Sequence, residues 1–342
     1  MTDAATARTS TPITPWPQIP GGHPWARERR GRVTVGLQVV ARPGADAAAV
    51  VQRAGLLAEE LGFDAFYLGD HPALAVDPWL HLAALAPRTT RIRLGTLVTC
   101  SLFRPAVVTA RLAADIDNLS AGRLVLGLGI GWDAREFAML GLPFPPVPQR
   151  NRHLLETLHV MQGAWGDSPF SFHGQQVQVD GVQVRPAPVQ TPRPPLVIAG
   201  AGAKVTLRRV AQWADACNFG ASPQVGGVQN ADDVRRTLDI LRTHCDAVGR
   251  DEAEILRSYF TSWVILARTD AEANAKLDRY YPQGLTPAQR ATRVVGSPAT
   301  VAAHYRTLAR AGIEHFICQT QDAEDLETIE LLANAVMPQL HG

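Results

Sequence analysis

Eight short runs of β-branched and aliphatic residues alternate with helical patterns from Val33 onward, and this alternation is the strongest constraint on the fold. It is typical of repeated βα units and a parallel sheet. Because eight such units close a barrel, we predict an α/β fold consisting of a single (β/α)8 TIM barrel. An open doubly wound sheet is the alternative. The predicted strands are 33–40, 64–69, 92–99, 124–129, 195–200, 215–220, 259–267 and 314–318.

Two connections are longer than the repeat requires, and they follow strands 4 and 7. Residues 141–194 are rich in proline and contain the hairpin-like run FSFHGQQVQVDGVQV, whereas residues 268–296 extend the seventh connection. We expect both insertions to lie outside the barrel wall, where long functional loops are tolerated. Residues 1–32 are predicted to form a flexible, proline-rich tail, and residues 33–342 to form the barrel domain.

The charge balance points to a small-molecule substrate. Lys and Arg total 33 against 32 Asp and Glu, so there is no overall field to hold a nucleic acid. No run approaches the roughly 18 apolar residues of a membrane span, and the first 32 residues carry prolines instead of the apolar core of a signal peptide. We therefore expect no nucleic-acid or membrane partner and a cytoplasmic location. The histidines are scattered without a close ligand pair, so no metal site is predicted.

In a barrel of this kind the active site lies where the strands end, because the βα loops converge there. The residues at these ends carry little charge and many glycines. Such a rim suits a large flat ligand, since glycine lacks the Cβ that would hold a ring away. The candidates are Gln38, Asp70, His71, Leu97, Val98, Thr99, Cys100, Gly127, Gly129, Gly131, Trp132, Ala199–Lys204 and Asn218–Ser222.

Two glycine-rich segments follow predicted strands. The glycines of G-L-G-I-G at 127–131 would let the backbone approach a ligand, and simple packing inside the barrel is the alternative explanation. G-A-G-A-K at 200–204 joins a strand to a helix predicted to begin near Ala203, where free N–H groups and the helix dipole favour a phosphate. It is not a dinucleotide fingerprint, because Val205 occupies the third glycine position.

His71 is the candidate proton carrier, because a histidine titrates near neutral pH and this one follows a predicted strand. Asp70 precedes it and is the candidate group to orient it. A purely structural histidine is the alternative interpretation. Lys204 would form a Schiff base if it were desolvated, but a solvated or phosphate-facing lysine is the simpler interpretation.

Four long motifs occur in the order in which one known family has them. They are AEELGFDAFYLGDH at 58–71, the run from Arg91 to Trp132 followed by Glu136 and PFP, PPLVIAGAGAKVTLRRVAQWADACN at 194–218, and GSPATVAAHYRTLARAGIEHFI at 296–317. The chain thereby resembles the bacterial-luciferase-like monooxygenase superfamily, and within it the branch of coenzyme F420-dependent oxidoreductases. The resemblance covers nearly all of Val33–Gln339. It implies a (β/α)8 barrel that binds F420 or FMN at the strand ends, often as a homodimer.

The resemblance also assigns expected roles. His71 matches a histidine beside the reactive face of the cofactor, and the Leu97–Val98 bond matches a non-proline cis peptide behind the cofactor ring. The cofactor-binding residues implied are Asp70, Leu97, Val98, Thr99, Gly129, Gly131, Ala199, Gly200, Ala201 and Gly202. Two departures are present. Ala199 and Ala201 stand in a segment that is more often Gly-Gly, and Trp132 replaces an acidic residue of sugar-phosphate-oxidising members, which argues against a sugar phosphate.

The expected reaction is hydride transfer between C5 of F420 and a small organic substrate, with His71 moving the accompanying proton. The first alternative is a two-component monooxygenase that uses reduced FMN and O₂ and takes a flavin reductase as its partner. An F420 reductase is the corresponding partner for the deazaflavin. A non-catalytic flavin-binding barrel and a Schiff-base aldolase that uses Lys204 are the remaining alternatives.

Overall fold

The computed structural model describes residues 11–41 and 46–340, and parallel strands in these residues close into a barrel. The barrel order is β1-β2-β3-β4-β7-β8-β9-β11, and β11 pairs with β1 to complete the ring. The predicted barrel is therefore confirmed, and an open sheet is excluded. In the described residues the strands are β1 (Thr34–Gln38), β2 (Ala65–Leu68), β3 (Arg93–Cys100), β4 (Leu124–Gly129), β5 (Phe170–His173), β6 (Gln178–Val182), β7 (Leu196–Ala199), β8 (Ala216–Gly220), β9 (Leu256–Leu266), β10 (Val294–Gly296) and β11 (His315–Thr320).

Helices surround the ring, and several begin at the capping residues that the sequence provides. The side chain of Asp77 accepts the N–H groups of Trp79 and Leu80 at the start of α3, as is typical of an N-cap. The helix after β7 begins at Thr206 and not near Ala203 as predicted, because residues 203–205 form a turn. In the described residues the helices are α1 (Pro24–Arg27), α2 (Ala47–Glu60), α3 (Pro78–Leu85), α4 (Ala106–Leu119), α5 (Ala134–Met139), α6 (Val147–Ala164), α7 (Thr206–Trp213), α8 (Ala231–Asp246), α9 (Asp270–Tyr280), α10 (Pro287–Ala291), α11 (Pro298–Arg310) and α12 (Leu326–Leu331).

Both long connections carry secondary structure of their own. The connection after β4 contains α5, α6 and the antiparallel pair β5–β6, where a hairpin was predicted. The connection after β9 contains α9, α10 and β10, and β10 pairs in parallel with the end of β9 outside the ring. The second insertion therefore extends one wall of the barrel above the other strands.

Residues 11–32, which belong to the tail predicted for 1–32, include two buried tryptophans that pack against the barrel. Trp16 is 3% exposed, donates its indole N–H to Leu158 O at 2.8 Å, and lies under the Arg193 guanidinium at 4.2 Å. Farther along, α1 places Trp25 in the apolar cluster that fills the barrel interior. The aromatic side chains override the prolines in this segment because they bury apolar area. Residues 1–10 and 341–342, also assigned in the sequence analysis, lie outside the described residues.

A buried polar cluster lies beside Trp25 at the start of the strands. The ring of His315 is fully buried and contacts Thr34 Oγ1 at 2.7 Å and Tyr67 Oη at 3.2 Å. Burial lowers the pKa of His315 to about 4. Burial also opposes ionisation of Asp64, but the Arg29 guanidinium outweighs it and holds the pKa of Asp64 below its usual value. This end of the barrel is therefore closed by Trp25 and the polar cluster.

No helix within residues 11–41 and 46–340 is both long and apolar enough to cross a bilayer.

Candidate active site

A cleft of about 910 Å³ opens at the C-terminal ends of the strands. This volume lies in the range of small-molecule and cofactor sites. Nine of the ten residues predicted to bind the cofactor line the cleft together with His71, namely Asp70, Leu97, Val98, Gly129, Gly131, Ala199, Gly200, Ala201 and Gly202. The two glycine segments and the histidine therefore open onto one surface. Among the described residues, neither Gly127 nor Lys204 lines it, so the position of Lys204 does not support Schiff-base chemistry in this cleft.

Thr99, the tenth predicted residue, lies behind the cleft and supports Asp70. Its hydroxyl donates to Asp70 Oδ2 at 2.5 Å, and the Arg104 guanidinium donates to the same carboxylate. Arg104 also donates to Asp77 Oδ2 at 2.7 Å. Asp70 is 4% exposed, and its contacts with Thr99 and Arg104 connect the ends of β2 and β3 to the start of α3.

His71 is oriented by Glu136 and not by Asp70, which corrects the sequence-based expectation. Nδ1 of His71 lies 3.1 Å from Oε1 and 3.2 Å from Oε2 of Glu136. An ionised carboxylate only accepts hydrogen bonds, so Nδ1 carries the proton and Nε2 presents its lone pair. Within the described residues Nε2 makes no hydrogen bond, and the His71 side chain is 30% exposed to the cleft. The pair is thus arranged to accept or donate one proton at Nε2.

The end of β3 is irregular where the resemblance implied a kink. The peptide bond between Leu97 and Val98 is cis, as implied, and β3 has one more residue than β4 between paired positions 96 and 99. Gln38 donates from its side-chain amide to Leu97 O at 2.7 Å and supports this backbone from β1. This irregular backbone forms the floor of the cleft.

The glycines of β4 are required by the packing of this floor. A Cβ on Gly127 would lie 2.2 Å from Thr96 O, and one on Gly129 would lie 2.7 Å from a methyl of Val98. Distances this short are incompatible with any side chain. Packing inside the barrel therefore explains why residue 127 is a glycine. Gly129 packs on Val98 and also lines the cleft.

The loop 200–205 has the features of an anion site. Gly200 adopts a left-handed backbone with φ +116° and donates its N–H to Asn218 O at 2.7 Å. In the described residues the N–H groups of Ala201 and Gly202 donate to no protein acceptor. They precede α7, whose first residue Thr206 also lines the cleft. Free amides at a helix N-terminus bind phosphate and carboxylate groups.

Arg209, one turn into α7, supplies a positive charge beside this loop. It lines the cleft, and its buried Nε has no hydrogen-bond partner in the described residues. Burial, followed by the charges of Arg208 and Arg152, lowers the pKa of Arg209. A cation in this state is stabilised by an incoming anion. The sequence did not reveal this residue, because Arg208 and Arg209 are adjacent and only the helix register decides which faces the loop.

Strand β9 turns two consecutive side chains toward the cleft. It has one more residue than β11 between positions 261 and 264, and Trp263 takes a left-handed φ of +65° there. Ser262 and Trp263 both line the cleft as a result. A left-handed backbone at a bulky residue costs about 1 to 2 kcal/mol, and such residues cluster at functional sites. The alternating pattern of this strand gave no sign of the extra residue.

The cleft is otherwise apolar, with a few polar groups that lack partners. The side-chain Oδ1 of Asn218 is buried and accepts no hydrogen bond within the described residues. Glu136, which completes the proton-carrying pair, is 2% exposed. The described part of the chain holds no group of three His, Cys, Asp or Glu side chains placed to bind a metal ion. The arrangement can thus hold a planar apolar ring, an anionic tail and a group that exchanges a proton.

Comparisons with known proteins agree with this arrangement. The sequence profile of luciferase-like monooxygenases matches residues 30–315. The F420-dependent glucose-6-phosphate dehydrogenase of Microbacterium testaceum is 33% identical over 165 residues, which cover 44% of this chain and 47% of that enzyme. Pyrimidine monooxygenase RutA of Allorhizobium ampelinum is 30% identical over 211 residues, covering 59% and 54%. The chain therefore spans about half the length of these two relatives.

A solved structure has the same fold. The coenzyme F420-dependent tetrahydromethanopterin reductase of Methanopyrus kandleri superposes with a TM-score of 0.76 and 19% sequence identity. The superposition covers 91% of this chain and 100% of that one. At this identity the likeness supports the fold and carries no conclusion about the substrate.

Proposed function

This chain belongs to the luciferase-like monooxygenase family, and we propose that it transfers a hydride between coenzyme F420 and a small organic substrate. Its relatives include an F420-dependent dehydrogenase and a monooxygenase, as their names indicate. The observation that carries the proposal is the His71–Glu136 pair at the mouth of an apolar cleft. It provides a proton carrier beside the place where a planar ring would stack.

The residues of the cleft fit this cofactor. The free amides of Ala201 and Gly202, the hydroxyl of Thr206 and the Arg209 guanidinium, whose Nε has no acceptor in the described residues, would hold its phosphate-bearing tail. The irregular floor at Leu97–Val98 would support the ring, and the buried Oδ1 of Asn218 would accept a hydrogen bond from it. When bound, the deazaflavin supplies the atom that gives or takes the hydride.

His71 would move the proton that accompanies the hydride. With Nδ1 donating to Glu136, Nε2 accepts a proton from a substrate hydroxyl in oxidation. In reduction, a protonated Nε2 gives the proton back to the substrate oxygen. Glu136 stabilises the imidazolium formed in either direction, and the apolar walls exclude water.

The side chains that line the cleft limit the class of substrate. The resemblance implies that Trp132 replaces an acidic residue that some sugar-phosphate-oxidising members use, and its ring meets His71 edge to face at 6.0 Å. Phe103, Val147 and Trp263 add apolar side chains to the lining of the cleft, whereas Arg150 and Asn151 of α6 add polar ones. We therefore propose a largely apolar alcohol or carbonyl compound and not a sugar phosphate.

A monooxygenase that uses reduced FMN and O₂ is the second candidate function. It is favoured by the similarity to pyrimidine monooxygenase RutA and by a phosphate loop that would hold either cofactor. This alternative requires a flavin reductase as a partner. The two functions differ in a direct observable, because only the monooxygenase consumes O₂.

The test begins with cofactor choice. Purified full-length protein is titrated with F420 and with FMN in both redox states, and turnover with a panel of alcohols and carbonyls is followed with an oxygen electrode. We expect tighter binding of F420 and no O₂ uptake; tighter binding of FMN with O₂ uptake would establish the alternative. Mass spectrometry of the ligand that co-purifies from the native host identifies the cofactor independently.

The second part of the test concerns His71. His71→Ala should lower turnover by a factor of about 10² to 10⁴ with cofactor affinity largely retained. His81→Ala, which removes a histidine of α3 that does not line the cleft, is the matched control and should retain full turnover. Unchanged turnover in His71→Ala would remove its catalytic role.

A further inference from the structure

A second cavity, of about 500 Å³, lies outside the barrel wall between β9, α10 and α11. The side chains of Tyr259 and Thr261 form its floor, and Thr300 and His304 of α11 form one side. Its volume is that of a compact organic ligand. Neither the proposed redox chemistry nor the comparisons give it a role.

The charged groups of this cavity are all basic. Arg290 and Arg293 line it, and among the described residues no Asp or Glu does. The backbone N–H of Arg290 donates to Thr286 O, but its guanidinium makes no ion pair or hydrogen bond in the described part of the chain. The Arg293 guanidinium stacks on Tyr281 at 4.6 Å and donates to its hydroxyl at 3.0 Å, but its buried Nε has no acceptor.

His304 adds a third unsatisfied group. Its Nε2 is buried and makes no hydrogen bond within the described residues. Burial lowers the pKa of His304, so the neutral ring has one N–H to donate. A buried donor without a partner costs about 1 to 3 kcal/mol, which a bound acceptor would recover.

The carboxylates nearest to this cavity are already engaged. Asp270 accepts from the Thr300 hydroxyl at 3.1 Å and from the Ser297 N–H at 2.6 Å. Asp233 accepts from Arg236 and from the Gln229 N–H. Neither side chain lines the cavity, so the charges of Arg290 and Arg293 are not neutralised there.

From these observations we propose that the cavity binds a compact anion bearing a phosphate or carboxylate group, held by Arg290, Arg293 and His304. The site is separate from the cleft but shares a wall with it. Ala288 and Gln289 of α10 face the cleft, Arg290 and Ala291 face the second cavity, and Thr292 and Arg293 line both. An anion bound there would therefore fix the segment that closes one side of the cleft.

The experiment is calorimetric titration of the full chain with inorganic phosphate and, separately, with citrate, at constant ionic strength set with chloride. The two probes distinguish a phosphorylated ligand from a carboxylate ligand. All titrations are repeated in the Arg209→Gln background, which disables the phosphate loop of the cleft. We expect saturable binding of at least one probe, unchanged in this background.

Two variants test the location. Arg290→Gln should weaken binding at least about tenfold, since a charge-assisted hydrogen bond contributes about that factor. Arg279→Gln makes the same charge change on exposed α9 and should alter affinity less than about twofold. Ala291→Trp fills the cavity without changing its charge and should abolish binding.

Hydrogen exchange provides the localised readout. The bound probe should protect the peptides that cover 287–304 in the wild type and should not protect them in Ala291→Trp. The proposal is overturned if neither probe reaches saturation by 10-millimolar concentrations. It is also overturned if Arg279→Gln weakens binding as much as Arg290→Gln does. A third contrary result is binding that survives Ala291→Trp and is lost in Arg209→Gln. These outcomes do not depend on which redox cofactor the cleft takes.

Discussion

The imidazole of His71, at the end of β2, is held by the carboxylate of Glu136 from α5, with 3.1 Å between Nδ1 and Oε1. The two residues are 65 positions apart and come from different βα units. Their contact engages Nδ1, so Nε2 is the ring nitrogen left to exchange a proton in the cleft.

Glu136→Gln should lower turnover about ten- to hundredfold with little change in cofactor affinity. The amide cannot stabilise an imidazolium as a carboxylate does, so proton transfer at Nε2 of His71 should slow. Steady-state kinetics at saturating substrate measures turnover. Glu330→Gln, an exposed residue of the C-terminal region, is the control. Turnover equal to that of the wild type would show that Glu136 is only structural.

Arg209→Gln should weaken cofactor binding about tenfold or more while turnover at saturating cofactor is retained. The side chain is expected to contact the cofactor tail and not the reacting atoms, which we propose to lie beside His71. Fluorescence titration gives the dissociation constant. The neighbour Arg208 is exposed, so Arg208→Gln should change affinity less than about twofold. Equal losses in both variants would indicate long-range attraction instead of contact.

Asp70→Asn should destabilise the fold by about 2 kcal/mol, because it leaves the Arg104 guanidinium with a weaker buried partner. Urea denaturation measures the free energy of unfolding, and Asp278→Asn on the exposed face of α9 is the matched control. If stability were unchanged and cofactor binding were lost, Asp70 would be a direct cofactor ligand as the resemblance implied.

His315 should make the fold less stable as the pH falls from about 6.5 toward 4. Its pKa is about 4 in the folded protein and near 6.5 when unfolded, so over this interval the unfolded chain binds more protons. The full loss is about 3 kcal/mol. Asp64 acts at lower pH, since the stability that comes from its lowered pKa is lost as the pH falls from about 3.8, the unfolded value, through the folded pKa.

Urea denaturation at pH 7.5, 6 and 5 tests this dependence. His315→Gln should reduce the slope of stability against pH, even if it lowers stability at pH 7.5. His159→Gln, at a half-buried position of α6 where the ring packs on Phe170 and Phe172, is the control and should leave the slope unchanged. An unaltered slope in His315→Gln would assign the acid sensitivity to other groups.

The strands were predictable because parallel barrel strands are buried on both faces and form continuous aliphatic runs. LVLGLG at 124–129 is a strand over that whole range. A helix starts where the sequence offers a capping residue at Asp77, whereas the start predicted near Ala203 was wrong, because the glycine loop continues as a turn to Val205.

The site was only partly predictable. His71 and the loop 200–202 stand at strand ends, and such ends can be located from the sequence. Glu136 and Arg209 lie on helices, where the direction of a side chain depends on packing and not on a local pattern. The extra residue at Trp263 was not foreseeable either, because a β-bulge is set by the neighbouring strand.

The helix α10 presents one set of residues to the cleft and another to the second cavity. Arg293, which follows this helix, lines both. An exchange of residues 281–296 for the equivalent loop of another barrel would thus alter substrate preference and remove the anion pocket in a single step. During divergence of such enzymes, these two traits would be inherited together.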